Sequence, residues 1–225
     1  MIDNITQEQS SNYMEVGDID ASNVTASTEI KLPCELELIT TMFNEFVKIN
    51  NILPGNNWDQ ERVSIPSIDL YGFPLTNIIQ RDYLTPIIES CTKLKLIPSY
   101  VRLRKYFKGS VLKPHLDRDA CHINLTYCID GPPWAMNVGP ELSPVELKPG
   151  KGIIYDGTKL LHGRLEESPG EVLQMFCHWT AVDGKFEKYA YDSGKNKEFF
   201  ENKKVYGTEQ LTYLNGLYPV KILKL

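Results

Sequence analysis

Between Tyr100 and Thr180 the chain passes from one short run of strand-forming residues to the next, with Gly or Pro at nearly every break. Tyr100-Val101-Arg102-Leu103-Arg104-Lys105-Tyr106-Phe107 alternates in character and is followed by Gly109. His122 to Ile129 is closed by Asp130-Gly131-Pro132-Pro133, Lys148-Pro149-Gly150-Lys151-Gly152 leads into Ile153-Ile154-Tyr155-Asp156-Gly157, and Val172 to Thr180 is a last apolar run. β-branched and aromatic residues fit a pleated, half-buried surface, while Gly and Pro supply the turns. Many short strands punctuated in this way predict a sandwich or jelly roll.

The chemistry-bearing residues sit at the ends of those runs. His115 and Asp117 are two apart, so on a strand their side chains leave from the same side. His162 follows 47 positions later, inside Leu160-Leu161-His162-Gly163-Arg164. A jelly roll brings the start of one strand and the end of a distant one to a common mouth, which is the geometry an HxD pair and a remote His require. Two imidazoles and one carboxylate are the ligand set of a facial Fe(II) site, with coordination positions left open.

Read in order, Tyr106 nine residues before His115, the HxD pair, a following strand, the Pro149-Gly150 turn before Ile153-Ile154-Tyr155, and His162 resemble the Fe(II)/2-oxoglutarate-dependent dioxygenases, most of all their prolyl-4-hydroxylase-like branch. The resemblance covers about residues 95 to 182. It implies a mainly β fold with flanking helices, a cupin-like double-stranded β-helix. It also implies that His115, Asp117 and His162 hold Fe(II), that 2-oxoglutarate is the co-substrate with Tyr106 among its contacts, and that O2 is consumed. The implied reaction hydroxylates an unactivated C–H bond of a peptide, a prolyl residue first, or of a small molecule, and releases succinate and CO2. Asp117 favours hydroxylation, because related halogenases lack that carboxylate.

One element departs from the pattern. The family carries a Lys or Arg about ten residues after the distal His to grip the far carboxylate of 2-oxoglutarate. Here that region reads Gly170-Glu171-Val172-Leu173-Gln174. A buried carboxylate needs a cation, best a guanidinium fork. The candidates are Arg164, two residues after His162, and Arg104, on the strand face of Tyr106; Arg164 is preferred. Its competing role is a surface pair with Glu166 or Glu167. Arg102 and Arg118 are weaker candidates for substrate contact, Trp134 and Trp179 read as core or pocket wall, and His122 and His178 as hydrogen-bonded core residues.

Other classes remain open on the sequence. A cupin-type metal-binding protein is one, and a non-oxidative metalloenzyme is another, although no third His or Glu ligand stands near the HxD pair. The absent basic residue on the last strand is the best argument for a non-enzymatic module. A net charge of -5 excludes a general nucleic-acid binder. No apolar run approaches the ~20 residues of a membrane span. Five scattered cysteines, odd in number and without a CxxC, read as reduced thiols. Together with a beginning that lacks a signal pattern, they give a cytoplasmic expectation.

The organisation expected is a polar, extended or disordered segment over 1–30, a catalytic domain over 31–182 with its jelly-roll core at about 98–182, and an extension over 183–225 packed on that core. A strand at Glu29-Ile30-Lys31-Leu32 is an alternative to disorder. Helical spacing predicts a helix over about 35–50 and a second over about 82–96, with Pro86 in its first turn and Pro98 closing it. The extension, with Tyr189, Tyr191, Phe199, Phe200, Tyr206, Tyr213 and Tyr218, either wraps the core, makes a homodimer contact or forms part of a lid, and Val220 to Leu223 reads as an edge strand.

Overall fold

The computed structural model describes residues 28–55 and 62–192. The expected N-terminal tail before Thr28, and the aromatic residues and edge strand beyond Asp192, lie outside the described residues.

Two antiparallel sheets face each other. The larger contains β1 (Thr28–Glu29), β2 (Ile68–Tyr71), β3 (Leu96–Tyr106), β5 (Ile123–Asp130), β8 (Lys151–Asp156) and β10 (Val172–Ala181), in the order β1-β8-β5-β10-β3-β2. The smaller runs β4-β9-β6-β7, from β4 (Leu112–His115), β6 (Trp134–Val138), β7 (Ser143–Leu147) and β9 (His162–Arg164). Most neighbouring strands are far apart in the chain, β2–β3 and β6–β7 excepted, as in the expected double-stranded β-helix. Glu29 does extend the sheet, by pairing with Lys151, and Ile30 and Leu32 after it are buried.

Helix α1 (Leu36–Ile49) follows its prediction closely. Ile39, Met42, Phe43 and Phe46 recur at helical spacing and are the residues it buries. Asn50 ends it by donating from Nδ2 to the Phe46 carbonyl, and Asn51 takes a left-handed φ of 49°.

The second helical segment differs from expectation. It begins at Pro74, not at Asp82, as α2 (Pro74–Ile78), passes through a π-turn (Ile79–Leu84), and continues as α3 (Thr85–Thr92). Pro86 is therefore inside a longer segment. It has no N–H to continue the i→i−4 ladder, and the Thr85 N–H reaches back five residues to the Gln80 carbonyl. Lys93, at φ 59°, ends the helix, and β3 starts at Leu96, so Pro98 lies within a strand. That is tolerated because the register with β10 slips there: His178 pairs with Tyr100, but Trp179 pairs with Pro98.

One face of the larger sheet carries Val101, Leu103, Leu125, Met175, Cys177 and Trp179, which pack with Ile39, Phe43, Phe46 and Ile88 of the helices in one apolar core. The opposite face looks into the space between the sheets. Residues alternate between the two along each strand. All five cysteines are free thiols, and no helix among the described residues is long and apolar enough to cross a membrane.

Candidate active site

His115 ends β4 and His162 begins β9, and the two are direct partners across that ladder, with ring centroids 4.4 Å apart. Asp117 lies past the end of β4, not on it. Its place beside the histidines comes from the loop, where the Asp117 N–H donates to the Gly157 carbonyl at 2.8 Å. A Cβ on Gly157 would stand 2.1 Å from Asn124 Nδ2 and 2.8 Å from Asp117 Oδ2, so only glycine lets this turn press against the carboxylate.

His115 Nδ1 is 2.8 Å from the Lys113 carbonyl, and His162 Nδ1 is 2.8 Å from the Leu160 carbonyl. A carbonyl only accepts, so each Nδ1 carries the proton and each Nε2 presents a lone pair. Those Nε2 atoms lie 3.5 Å from Asp117 Oδ1 and 3.4 Å from Asp117 Oδ2. Two lone pairs converging on an anion repel it unless a cation stands among them, so this donor set fits a divalent metal. The three ligand atoms lie within 4.8 Å of one another.

Tyr106 and Arg164 both pack against the Trp134 ring. Tyr106, Gln174 and Arg164 are all enclosed. Arg164 donates from Nη1 to the carbonyls of Trp134 at 2.7 Å and Ala135 at 3.2 Å, and its guanidinium carbon stands 4.1 Å from the Trp134 ring centroid. Its Nη2 has no hydrogen-bond partner among the described residues, and neither has the Tyr106 hydroxyl. Burial pulls the Arg164 pKa down, as expected for a cation with no carboxylate beside it. The surface pair with Glu166 or Glu167 does not form.

Arg104 is placed differently, although it also shares the Tyr106 face. Its Nε and Nη2 donate to the two oxygens of Asp69 at 2.7 and 2.9 Å. Asp69 stands opposite Arg104 in the β2–β3 register. This fork occupies Arg104 with a carboxylate of the protein's own, the physical reason it is the poorer candidate for a dicarboxylate anchor. Arg102 stands near the same Asp69 at 3.9 Å and over the Phe176 ring at 4.9 Å. Arg118 pairs with Asp192 and stacks over Tyr100 at 4.8 Å.

Trp134 meets the Tyr106 ring edge-on at 5.1 Å, and Trp179 lies on the helix side, donating to Thr85 Oγ1 at 2.8 Å. His122 Nε2 is 3.6 Å from Asp156. His178 is a buried, hydrogen-bonded residue, but its partner is Asn124 Oδ1 at 2.6 Å, and Asn124 in turn donates to Asp117. The sequence reading passed over Asn124 and Gln174. Their signal was polarity at alternate positions of otherwise apolar strands.

No protein-family model matches the chain, and no curated protein matches its sequence. Solved structures match the fold. A Pseudomonas putida prolyl-4-hydroxylase is 12% identical with a TM-score of 0.51, over 69% of this chain and 92% of that one. The viral collagen prolyl hydroxylase of Paramecium Bursaria Chlorella virus-1, in complex with 2OG, is 18% identical with a TM-score of 0.50, over 69% of this chain and 96% of that one. EctD from S. alaskensis, with bound Fe, is 14% identical with a TM-score of 0.53, over 78% of this chain and 76% of that one. The fold is the jelly roll that these oxygenases share.

Proposed function

We propose that the chain is an Fe(II)- and 2-oxoglutarate-dependent dioxygenase that hydroxylates a C–H bond of a peptide or small molecule. The observation that carries this reading is the buried guanidinium of Arg164 with Nη2 unpartnered beside the free Tyr106 hydroxyl, on the same inter-sheet side as three converging metal-ligand atoms. A buried cation with no carboxylate beside it, and a buried hydroxyl with no partner, are costly unless an anion meets them. A set of metal ligands with an uncompensated guanidinium on the same side is what a metal-chelating dicarboxylate needs. The solved relatives of this fold include one with iron and one with 2OG, which agrees with the reading.

Each residue has a role on this reading. His115 and His162 present Nε2, held in that tautomer by the Lys113 and Leu160 carbonyls, and Asp117 supplies the anionic ligand. Arg164 and Tyr106 hold the far carboxylate of the co-substrate. Tyr155, edge-on to His162 at 4.8 Å, packs that imidazole in place. Bound Fe(II) with 2-oxoglutarate and O2 supplies the oxidising chemistry, with succinate and CO2 as products.

Purified protein given Fe(II), ascorbate and 2-oxoglutarate should release succinate even without substrate. Tight Fe(II) binding with no succinate above a metal-free control would sink the oxygenase and leave a metal-binding protein of the same fold.

A further inference from the structure

Asn124 is fully buried on β5 and faces the inter-sheet space. Its Nδ2 lies 2.6 Å from Asp117 Oδ2, and its Oδ1 lies 2.6 Å from His178 Nδ1. The chemistry of the neighbours fixes which end is which. Ionised Asp117 only accepts, so it must face the amide NH2. The amide oxygen then faces His178, and His178 Nδ1 must carry the proton. His178 is held as well: its ring lies 4.3 Å from that of Tyr100, and its carbonyl accepts from Gln80 Nε2 at 2.8 Å. Gly157 closes the other side of Asn124, too near for any side chain.

We infer that Asn124, oriented by His178, is the positioning residue that fixes the Asp117 carboxylate for the metal, engaging Oδ2 so that Oδ1 is the donor presented to the ion. This rests on the metal-site reading above. Asn124 acts through Asp117 and touches neither metal nor substrate. Partners of metal-ligating carboxylates typically change metal affinity roughly 10–100-fold when removed.

The test is anaerobic titration of Fe(II) into the wild-type protein and into Asn124→Asp, Asn124→Ala and His178→Phe, with melting temperatures of the metal-free forms. Asn124→Asp keeps the shape but sets a second carboxylate against Asp117, so Fe(II) affinity should fall about 100-fold; Asn124→Ala should lose roughly tenfold and His178→Phe less. Variants that melt lower but bind Fe(II) with wild-type affinity would reduce Asn124 to a structural residue and overturn the inference. If the wild type itself fails to bind Fe(II), the metal-site reading fails and takes the inference with it. A readout on the wild-type protein is independent of variant folding: nitrogen-15 spectra should show the His178 ring protonated at Nδ1, and an Nε2–H ring would break the assigned chain.

Discussion

The two faces of β3 and β10 are equally buried and opposite in chemistry. Toward the helices β3 turns Val101 and Leu103, and β10 turns Met175, Cys177 and Trp179, into one apolar core. Toward the smaller sheet the same strands turn Arg102, Arg104 and Tyr106, and Gln174 and His178. The first face is satisfied by packing alone. The second is satisfied only where each polar group finds a partner, and it falls into two parts. Arg104 is neutralised within the protein by Asp69, whereas Arg164, across the interior, keeps an unpartnered Nη2. One guanidinium is neutralised within the fold, and the other keeps a donor without a partner among the described residues.

The comparison can be broken first at the metal. Replacing His115, Asp117 or His162 by Ala should abolish Fe(II)-dependent succinate release while the far-ultraviolet circular dichroism spectrum stays β-rich. Wild-type turnover at limiting iron in any of the three would move the site elsewhere.

The next largest effects should separate stability from binding. Leu103→Ala, on the helix face, should cost about 2–5 kcal/mol of unfolding free energy. Arg104→Ala should cost about 3–5 kcal/mol, because it leaves Asp69 buried without its cation. Denaturant unfolding measures both. Arg164→Ala should instead raise the apparent KM for 2-oxoglutarate at least tenfold, about 1.4 kcal/mol or more, with Fe(II) binding preserved. A large KM effect at Arg104 with none at Arg164 would exchange their roles.

The last prediction concerns pH. Burial pulls the His178 pKa down to about 3. The unfolded chain takes up a proton near pH ~6.5 that the folded protein refuses, so stability should fall as pH drops below that value, by up to about 1.4 kcal/mol per unit. His178→Phe should flatten this slope in unfolding curves between pH 4 and 7. An unchanged slope would assign it to other groups.

What the sequence determined was whatever is written in local pattern. Turn residues between short strand runs specified the jelly roll, helical spacing specified α1, and the HxD pair with a remote His named the three residues that meet. Pro98 misled, because a proline signals a break only until a register slip in a neighbouring strand makes room for it. Other features belong to tertiary structure. The tie between Asp117 and Gly157, the Asn124 bridge and the Asp69 fork on Arg104 each join residues distant in the chain. Arg104 and Arg164 are the same residue type in similar strand contexts, and the preference for Arg164 rested only on its place two residues after His162. Only the packing of β2 beside β3 supplies Asp69 to one, while nothing anionic among the described residues reaches the other. Charge compensation is a property of the folded neighbourhood, and here it decides which arginine keeps an unpartnered donor.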